Sequence, residues 1–145
     1  LEGGGRVRDF EMNDRCAAGT GRFLEMLAAR LDVDWAALSA LSRQSTRPAL
    51  ISNTCVVFGE TEIIGLLAEG IPAADIAAGV QNSIATRVTA MAGRALESPV
   101  VFTGGVALQP GMVRALESAA NAPVQTAPQP QFTGALGAAI LARRR

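Results

Sequence analysis

A strand-like run that stops at two adjacent glycines limits most strongly what this chain can fold into. Residues 99–103 form an apolar run typical of a buried strand, and Gly104–Gly105 ends it. A helix is predicted from about Pro110, followed by a short strand at 124–127 and a helix at about 133–142. This strand–helix–strand–helix order predicts an α/β crossover.

The preceding part of the chain has mostly helical periodicity. Residues 7–12 alternate enough to predict the second strand of a hairpin, and Asp34 is placed to cap a helix. Residues 49–60 are predicted to form an extended arm. Helices are predicted at about 19–31, 35–43 and 61–69. A fourth, longer helix is predicted to begin at Pro72, with Asp75 in its first turn. Its buried face is predicted to consist of Ile76, Val80, Ile84, Val88, Met91 and Ala95. The small residues Gly134, Gly137 and Ala138 predict close approach of the last helix to a sheet.

Composition narrows the possible classes of protein. The chain has 145 residues, enough for a single domain spanning residues 1–145. Its formal net charge of zero argues against a nucleic-acid partner. No apolar run is long enough to span a membrane, so no membrane partner is expected. Two cysteines and no signal-like start predict a reducing, cytoplasmic location. The start Leu-Glu-Gly-Gly-Gly, without Met, suggests a piece of a longer polypeptide.

The cysteines are the side chains best suited to chemistry. Cys16 opens the run Cys-Ala-Ala-Gly-Thr-Gly, which leads from the strand-like segment into the first predicted helix. Unpaired N–H groups at a helix start favour the thiolate, which can attack a substrate, change redox state or bind a metal. Cys55 lies in a second segment with small and β-branched neighbours.

Several explanations of these cysteines remain open. A thiol hydrolase usually needs a general base, and the chain has no His. Zinc sites and cubane iron–sulfur clusters want four ligands, whereas one chain offers two thiols. A symmetric dimer would supply two plus two. Two buried, inert thiols are the structural alternative. Glu60 and Glu62 are predicted to stabilise a helix start rather than to form a carboxylate pair.

The glycine pair suits a ligand that approaches the backbone. Gly104 and Gly105 carry no side chain, so a flat ligand or a phosphate can come close. The run is not the spaced glycine fingerprint of dinucleotide-binding folds, and the chain has no lysine for a P-loop. A tight strand-to-helix turn without a ligand is the alternative.

Four segments together resemble the activators of 2-hydroxyacyl-CoA dehydratases and the ATPase subunits of benzoyl-CoA reductase. These are residues 10–25, 51–62, 102–108 and 131–139, in family order. The resemblance implies the C-terminal lobe of an actin-like, sugar-kinase-like (ribonuclease H-like) α/β ATPase fold. In this family, ATP hydrolysis drives a low-potential electron into a partner enzyme.

The resemblance also implies a site. Cys16 and Cys55 match the ligands of a 4Fe–4S cluster shared between two subunits of a homodimer, and Gly104, Gly105 and Val106 match the nucleotide-binding loop. ATP or ADP with Mg²⁺ is expected in the full-length protein. The implied partners are a like subunit, a CoA-ester dehydratase or reductase, and reduced ferredoxin or flavodoxin as electron donor.

Two departures from the family pattern qualify this expectation. Gln109 stands where family members often have Asn. The family's first lobe and its phosphate motifs are expected before Leu1, so this chain alone is predicted to carry no catalytic residue and not to hydrolyse ATP. An actin-like sugar or N-acetylhexosamine kinase relative without redox chemistry is the alternative function, and a non-catalytic dimerisation lobe is a third.

Overall fold

The computed structural model describes residues 7–13, 21–52, 55–93, 96 and 98–143. No helix in these ranges is both long and apolar enough to cross a membrane. Two short 3₁₀ turns, Gly105–Leu108 and Pro130–Phe132, accompany the regular elements. The regular elements are α1 (Gly21–Arg30), α2 (Trp35–Ser42), α3 (Val56–Ala68), α4 (Ala73–Ala92), β1 (Val100–Phe102), α5 (Pro110–Ala120), β2 (Val124–Thr126) and α6 (Thr133–Ala142).

The crossover predicted for the second half of the chain is confirmed. β1 and β2 are parallel, with Val100 opposite Val124 and Phe102 opposite Thr126, and α5 connects them. α5 begins at Pro110, where the missing N–H costs nothing, and ends at Ala120, followed by Asn121 as a C-cap in the left-handed conformation. The fold is therefore mixed α/β, as predicted.

The core lies between the helices and one face of the strands. α4 packs against α5 and α2, and α1 packs against α3. The largest fully buried side chains are Phe23, Leu24, Leu27, Leu38, Ile63, Ile76, Val80, Gln109 and Met112. All are apolar except Gln109, whose burial requires hydrogen-bond partners.

The sheet is narrower and more exposed than the sequence predicts. Residues 7–13 form no strand, and Phe10 and Met12 are exposed. The prediction of a strand there is wrong, because a strand needs a neighbour and this segment pairs with neither β1 nor β2. β1 is covered on one face only, and Val101 on the other face is 53% exposed.

Helix α6 has the predicted bounds but not the predicted packing. None of its residues is buried, and a side chain at Gly134 or Gly137 would meet nothing within 4 Å. The prediction of close helix–sheet approach is wrong, because α6 packs mainly against the turn Pro130–Phe132 rather than against either described strand. Leu136 and Leu141 are consequently exposed.

Helix α3 starts earlier than its sequence suggests. The β-branched residues Val56 and Val57 predict an extended arm, yet the helix begins at Val56, directly after Cys55. Helical geometry buries Gly59 and Ile63 on one side of α3. Burial against the core therefore outweighs the local preference of the β-branched pair.

Helix α4 matches its predicted buried face only in part. Ile76, Val80 and Ile84 are buried, whereas Val88 is 40% exposed and Met91 is half-buried. Ala95 lies outside the described residues. Val88 lines an open apolar cavity of about 140 Å³ between α4, α5 and the strands. The apolar side chains near the end of α4 are therefore only partly covered by neighbouring elements.

Two aspartates fix helix starts through side-chain acceptors. Asp34 caps α2 by accepting the Ala37 N–H at 2.6 Å, as predicted. Asp75, in the first turn of α4, accepts the Ser45 hydroxyl at 2.6 Å and the N–H group of Arg47 at 3.0 Å. The Thr46 N–H also reaches it, at 3.1 Å. Asp75 therefore ties the loop after α2 to the start of α4.

We expect Gly79→Ala to destabilise the fold by about 2 kcal/mol or more, because a methyl group there overpacks the core. A Cβ at position 79 would lie 2.2 Å from the Ala49 carbonyl oxygen, a backbone atom that cannot rotate away. The matched control is Gly65→Ala in α3, where a Cβ meets nothing within 4 Å. That variant should be more stable by about 0.5–1 kcal/mol. Chemical denaturation measures both, and equal effects would contradict the packing argument.

A second prediction concerns pH. The Ser45 hydroxyl, followed by the Arg47 N–H, holds the pKa of the Asp75 carboxyl below its ordinary value of 3.8. A lowered folded-state pKa gives stability that is present above the unfolded pKa and is lost as pH falls through the folded one. Wild type should therefore be more stable than Asp75→Asn at neutral pH, and the difference should shrink below about pH 3.8. Thermal unfolding of both proteins across this pH range measures the difference, and a difference that stays constant below about pH 3.8 would contradict this assignment.

Candidate functional site

The glycine loop, residues 104–108, follows the carboxyl end of β1, and its backbone conformation is unusual at its first residue. Gly104 has φ +90°, a conformation that favours glycine, and its N–H donates to the Pro130 carbonyl at 2.8 Å. The chain then makes the 3₁₀ turn Gly105–Leu108 before entering α5. Parallel α/β sheets bind ligands beyond the carboxyl ends of their strands, and this loop occupies that position.

Gly105 is a glycine that the fold itself does not require. Its φ is not in the positive region, and a Cβ built there meets nothing within 4 Å. The residue is also exposed. The empty space above Gly104 and Gly105 is therefore available to a ligand that lies against the backbone.

Val106 joins the loop to the first helix. It is half-buried, and its Cγ2 lies 3.6 Å from where a Cβ at Gly21 would be. Gly21 is the first residue of α1, in the segment that follows Cys16. A side chain at position 21 would therefore contact the loop that is predicted to bind nucleotide, which places the start of α1 next to that loop.

Behind the loop, Gln109 forms a buried polar network. Its side-chain Oε1 accepts the Ser39 hydroxyl, and its Nε2 donates to the Trp35 carbonyl. The Ser39 oxygen also accepts the Gly111 N–H at 3.1 Å. Sequence reasoning singled out Gln109 only as a departure from a pattern and missed Ser39 and Trp35. A serine among the apolar residues on the core-facing side of α2 is the signal that could have identified Ser39.

Cys55 occupies the N-cap position of α3. Its backbone is extended, with φ −84° and ψ 130°, and its carbonyl accepts the Gly59 N–H at 2.8 Å. The residue is half-buried. A thiolate at this position lies beside the N–H groups of the first helical turn and is favoured by the helix dipole.

The two carboxylates near Cys55 hold the surrounding structure. Glu60 pairs with Arg30 of α1, with 2.7 Å between Oε1 and the Arg30 Nε. Glu62 accepts both the N–H and the hydroxyl of Ser52, at 2.9 and 2.8 Å. The prediction that these residues stabilise a helix start is wrong, because α3 already begins at Val56 and has no acidic residue in its first turn. Their separate partners agree with the prediction that they do not form a carboxylate pair. Glu62 anchors the chain just before Cys55.

The predicted cluster ligands are not brought together in the described part of the chain. Cys16 lies outside the described residues. Within the ranges described, no group of three or more His, Cys, Asp or Glu is arranged to hold a metal ion. The assignment of Cys16 and Cys55 as ligands therefore stays a prediction.

Comparison with known proteins covers nearly the entire chain. The sequence is 47% identical over 143 residues to the activator of lactoyl-CoA dehydratase from Anaerotignum propionicum, covering 98% of this chain and 55% of the relative. It is 44% identical over 142 residues to the (R)-2-hydroxyglutaryl-CoA dehydratase activating ATPase from Acidaminococcus fermentans, covering 97% and 55%. The chain thus spans about half the length of these relatives.

A solved structure gives the same relationship in three dimensions. The activator of 2-hydroxyisocaproyl-CoA dehydratase from Clostridium difficile, with bound ADPNP, superposes with a TM-score of 0.90 at 44% identity, over 98% of this chain and 53% of that one. This match confirms the actin-like fold. The sequence matches the family description over residues 1–142. The chain belongs to the BadF/BadG/BcrA/BcrD ATPase family.

Proposed function

We propose that residues 1–145 form the C-terminal lobe of an ATP-dependent electron-transfer protein that activates a CoA-ester dehydratase or reductase. The observation that carries this proposal is the 44–47% identity to dehydratase activators over nearly the whole chain. The local geometry adds a glycine loop open to a ligand and a cysteine at a helix start. The activity, substrate and partners proposed here belong to the full-length protein.

The nucleotide is proposed to lie against the loop after β1. Gly104, Gly105 and Val106 provide backbone and one apolar side chain for the adenosine part of ATP or ADP. The bound ADPNP of the related activator supports a nucleotide as the ligand class. The phosphate groups and Mg²⁺ need cations, carboxylates or N–H nests, which we assign to the other lobe and to the segment between the lobes.

The donor chemistry fits an iron–sulfur cluster. Thiolates are the usual ligands of 4Fe–4S centres, and a cubane takes four of them. With Cys16 and Cys55 as ligands, two copies of the chain would supply the set. When bound, the cluster would hold and release one electron at low potential. The N–H groups at the start of α3 would stabilise the negative charge on the Cys55 thiolate.

A second subunit is proposed to cover the start of α3. Val57 and Phe58, in the first turn after Cys55, are 66% and 64% exposed. Apolar side chains in this position are suited to burial in a homodimer and to keeping water away from the shared ligands. Reduced ferredoxin or flavodoxin is proposed as the donor, and the CoA-ester enzyme as the acceptor.

The cysteine assignment predicts iron binding that depends on both thiols. Cys16→Ser and Cys55→Ser should each abolish the cluster after anaerobic reconstitution of the full-length protein, because each removes two of the four ligands from a dimer. Iron content and visible absorbance measure the result. Unchanged iron in Cys55→Ser would refute the assignment. An iron-free wild type would instead favour a kinase relative without redox chemistry.

The loop assignment predicts a loss of binding without a loss of stability. Gly105→Val in the full-length protein should weaken ADP binding about tenfold or more, since a side chain would fill the space proposed for the nucleotide. Neither φ nor packing restricts a side chain at this position, so the melting temperature should change little. Gly134→Val, at another open glycine, serves as the control in titration calorimetry. Equal ADP affinity in both variants would show that the nucleotide lies elsewhere.

A further inference from the structure

The junction between the glycine loop and α5 is fixed by a side chain rather than by backbone pairing alone. Gln109 is 1% exposed and follows the 3₁₀ turn directly. Its backbone N–H donates to the Val106 carbonyl in the loop, at 2.9 Å. Its own carbonyl accepts the Met112 N–H in α5, at 3.0 Å. The residue thus belongs to the loop and to the helix start at once.

The Gln109 amide reaches across to α2 with a single chemically consistent orientation. The Trp35 carbonyl can only accept, so the amide nitrogen must face it. The amide oxygen then faces the Ser39 hydroxyl, which donates to it while accepting the Gly111 N–H. Each side-chain nitrogen and oxygen of this buried group has at least one partner. Hydrogen-bonded networks in a protein interior restrict the motion of their members.

The other end of the loop is anchored independently. The Gly104 N–H donates to the Pro130 carbonyl at 2.8 Å, which ties the loop entry to the turn before α6. Between the two anchors, Gly105 is exposed and Leu108 is 52% exposed. The loop is therefore clamped at entry and exit, while its middle faces open space.

We infer that Gln109 and Ser39 are positioning residues for the nucleotide, acting through the loop and without touching the ligand. The inference rests on the proposed nucleotide site at Gly104–Val106. The amide of Gln109 fixes the loop exit against α2, so that the backbone around Gly105 is ordered before the nucleotide arrives. A loop that is already ordered loses less conformational entropy when it binds a ligand, so the ligand binds more tightly.

The amide of Gln109, and not its bulk, makes the contacts with Trp35 and Ser39. Gln109→Leu has a similar volume but makes no hydrogen bond, so it should loosen the loop exit.

The test is titration of full-length protein with Mg-ADP by calorimetry, well below the unfolding midpoint of each variant. Ser39→Ala should raise the Kd about fivefold and Gln109→Leu about tenfold. Each change removes two hydrogen bonds of the network, and only Gln109→Leu also releases the loop exit from the Trp35 carbonyl. The double variant should resemble Gln109→Leu alone, because both changes break one network. Ser39→Ala is the milder change and keeps the test valid if Gln109→Leu does not fold.

Ser45→Ala is the matched control for Ser39→Ala. The Ser45 hydroxyl also donates to a side chain, that of Asp75 at 2.6 Å, but neither residue belongs to the hydrogen-bond network of Gln109. This variant should bind Mg-ADP with the wild-type Kd. Ser39→Ala and Gln109→Leu variants that melt earlier but keep the wild-type Kd would overturn the inference. A normal Kd in Gly105→Val as well would instead refute the proposed nucleotide site.

Discussion

The contact between Phe23 and Gly59 sets the relation between the two helices that follow the cysteine segments. The ring of Phe23 fills the space of a missing side chain, because a Cβ at position 59 would lie 2.7 Å from the ring Cζ. α1 and α3 can therefore approach until the Phe23 ring contacts the backbone of Gly59. Since α3 begins directly after Cys55, this packing determines where that cysteine stands relative to the start of α1. The Arg30–Glu60 ion pair joins the same two helices at the surface.

Sequence patterns correctly predicted the parts of the fold that depend on interactions between residues close together in the sequence. Asp34 caps α2 because a short acceptor there satisfies an otherwise unpaired N–H. Pro110 starts α5, and Gly104 takes the positive φ that ends the strand. The crossover from β1 through α5 to β2 follows from the order of the elements. In each case the deciding atoms lie within a few residues of one another.

The errors fall where distant segments decide the outcome. Val56 and Val57 prefer extended backbone, but α3 forms because it buries Gly59 and Ile63 against the core. The predicted strand at residues 7–12 and the predicted packing of α6 both assume a wider sheet than the two described strands. A residue pattern specifies which face is apolar, and it does not specify whether a neighbour is present to cover that face.

The residues of the candidate site show the same difference between local and long-range interactions. Gly104 and Gly105 were recognisable because a glycine pair at the end of a strand has few structural purposes. The network of Gln109, Ser39 and Trp35 was not, since its hydrogen bonds join positions far apart in the sequence. Cys55 was identified by residue type, and its place at the helix start required the structure.

The packing between the loop and α1 gives the two proposed sites a physical connection. The Val106 Cγ2 lies 3.6 Å from the position that a Cβ at Gly21 would take, at the first turn of α1. Close-packed groups do not move independently, so a displacement of the loop has to be accommodated by the start of that helix or by a gap between them. The clamp at Gln109 restricts such a displacement at the loop exit, on the side of α2. A displacement of the loop would consequently be resisted by α2 at Gln109, and at Val106 it would change the spacing between the loop and the first turn of α1.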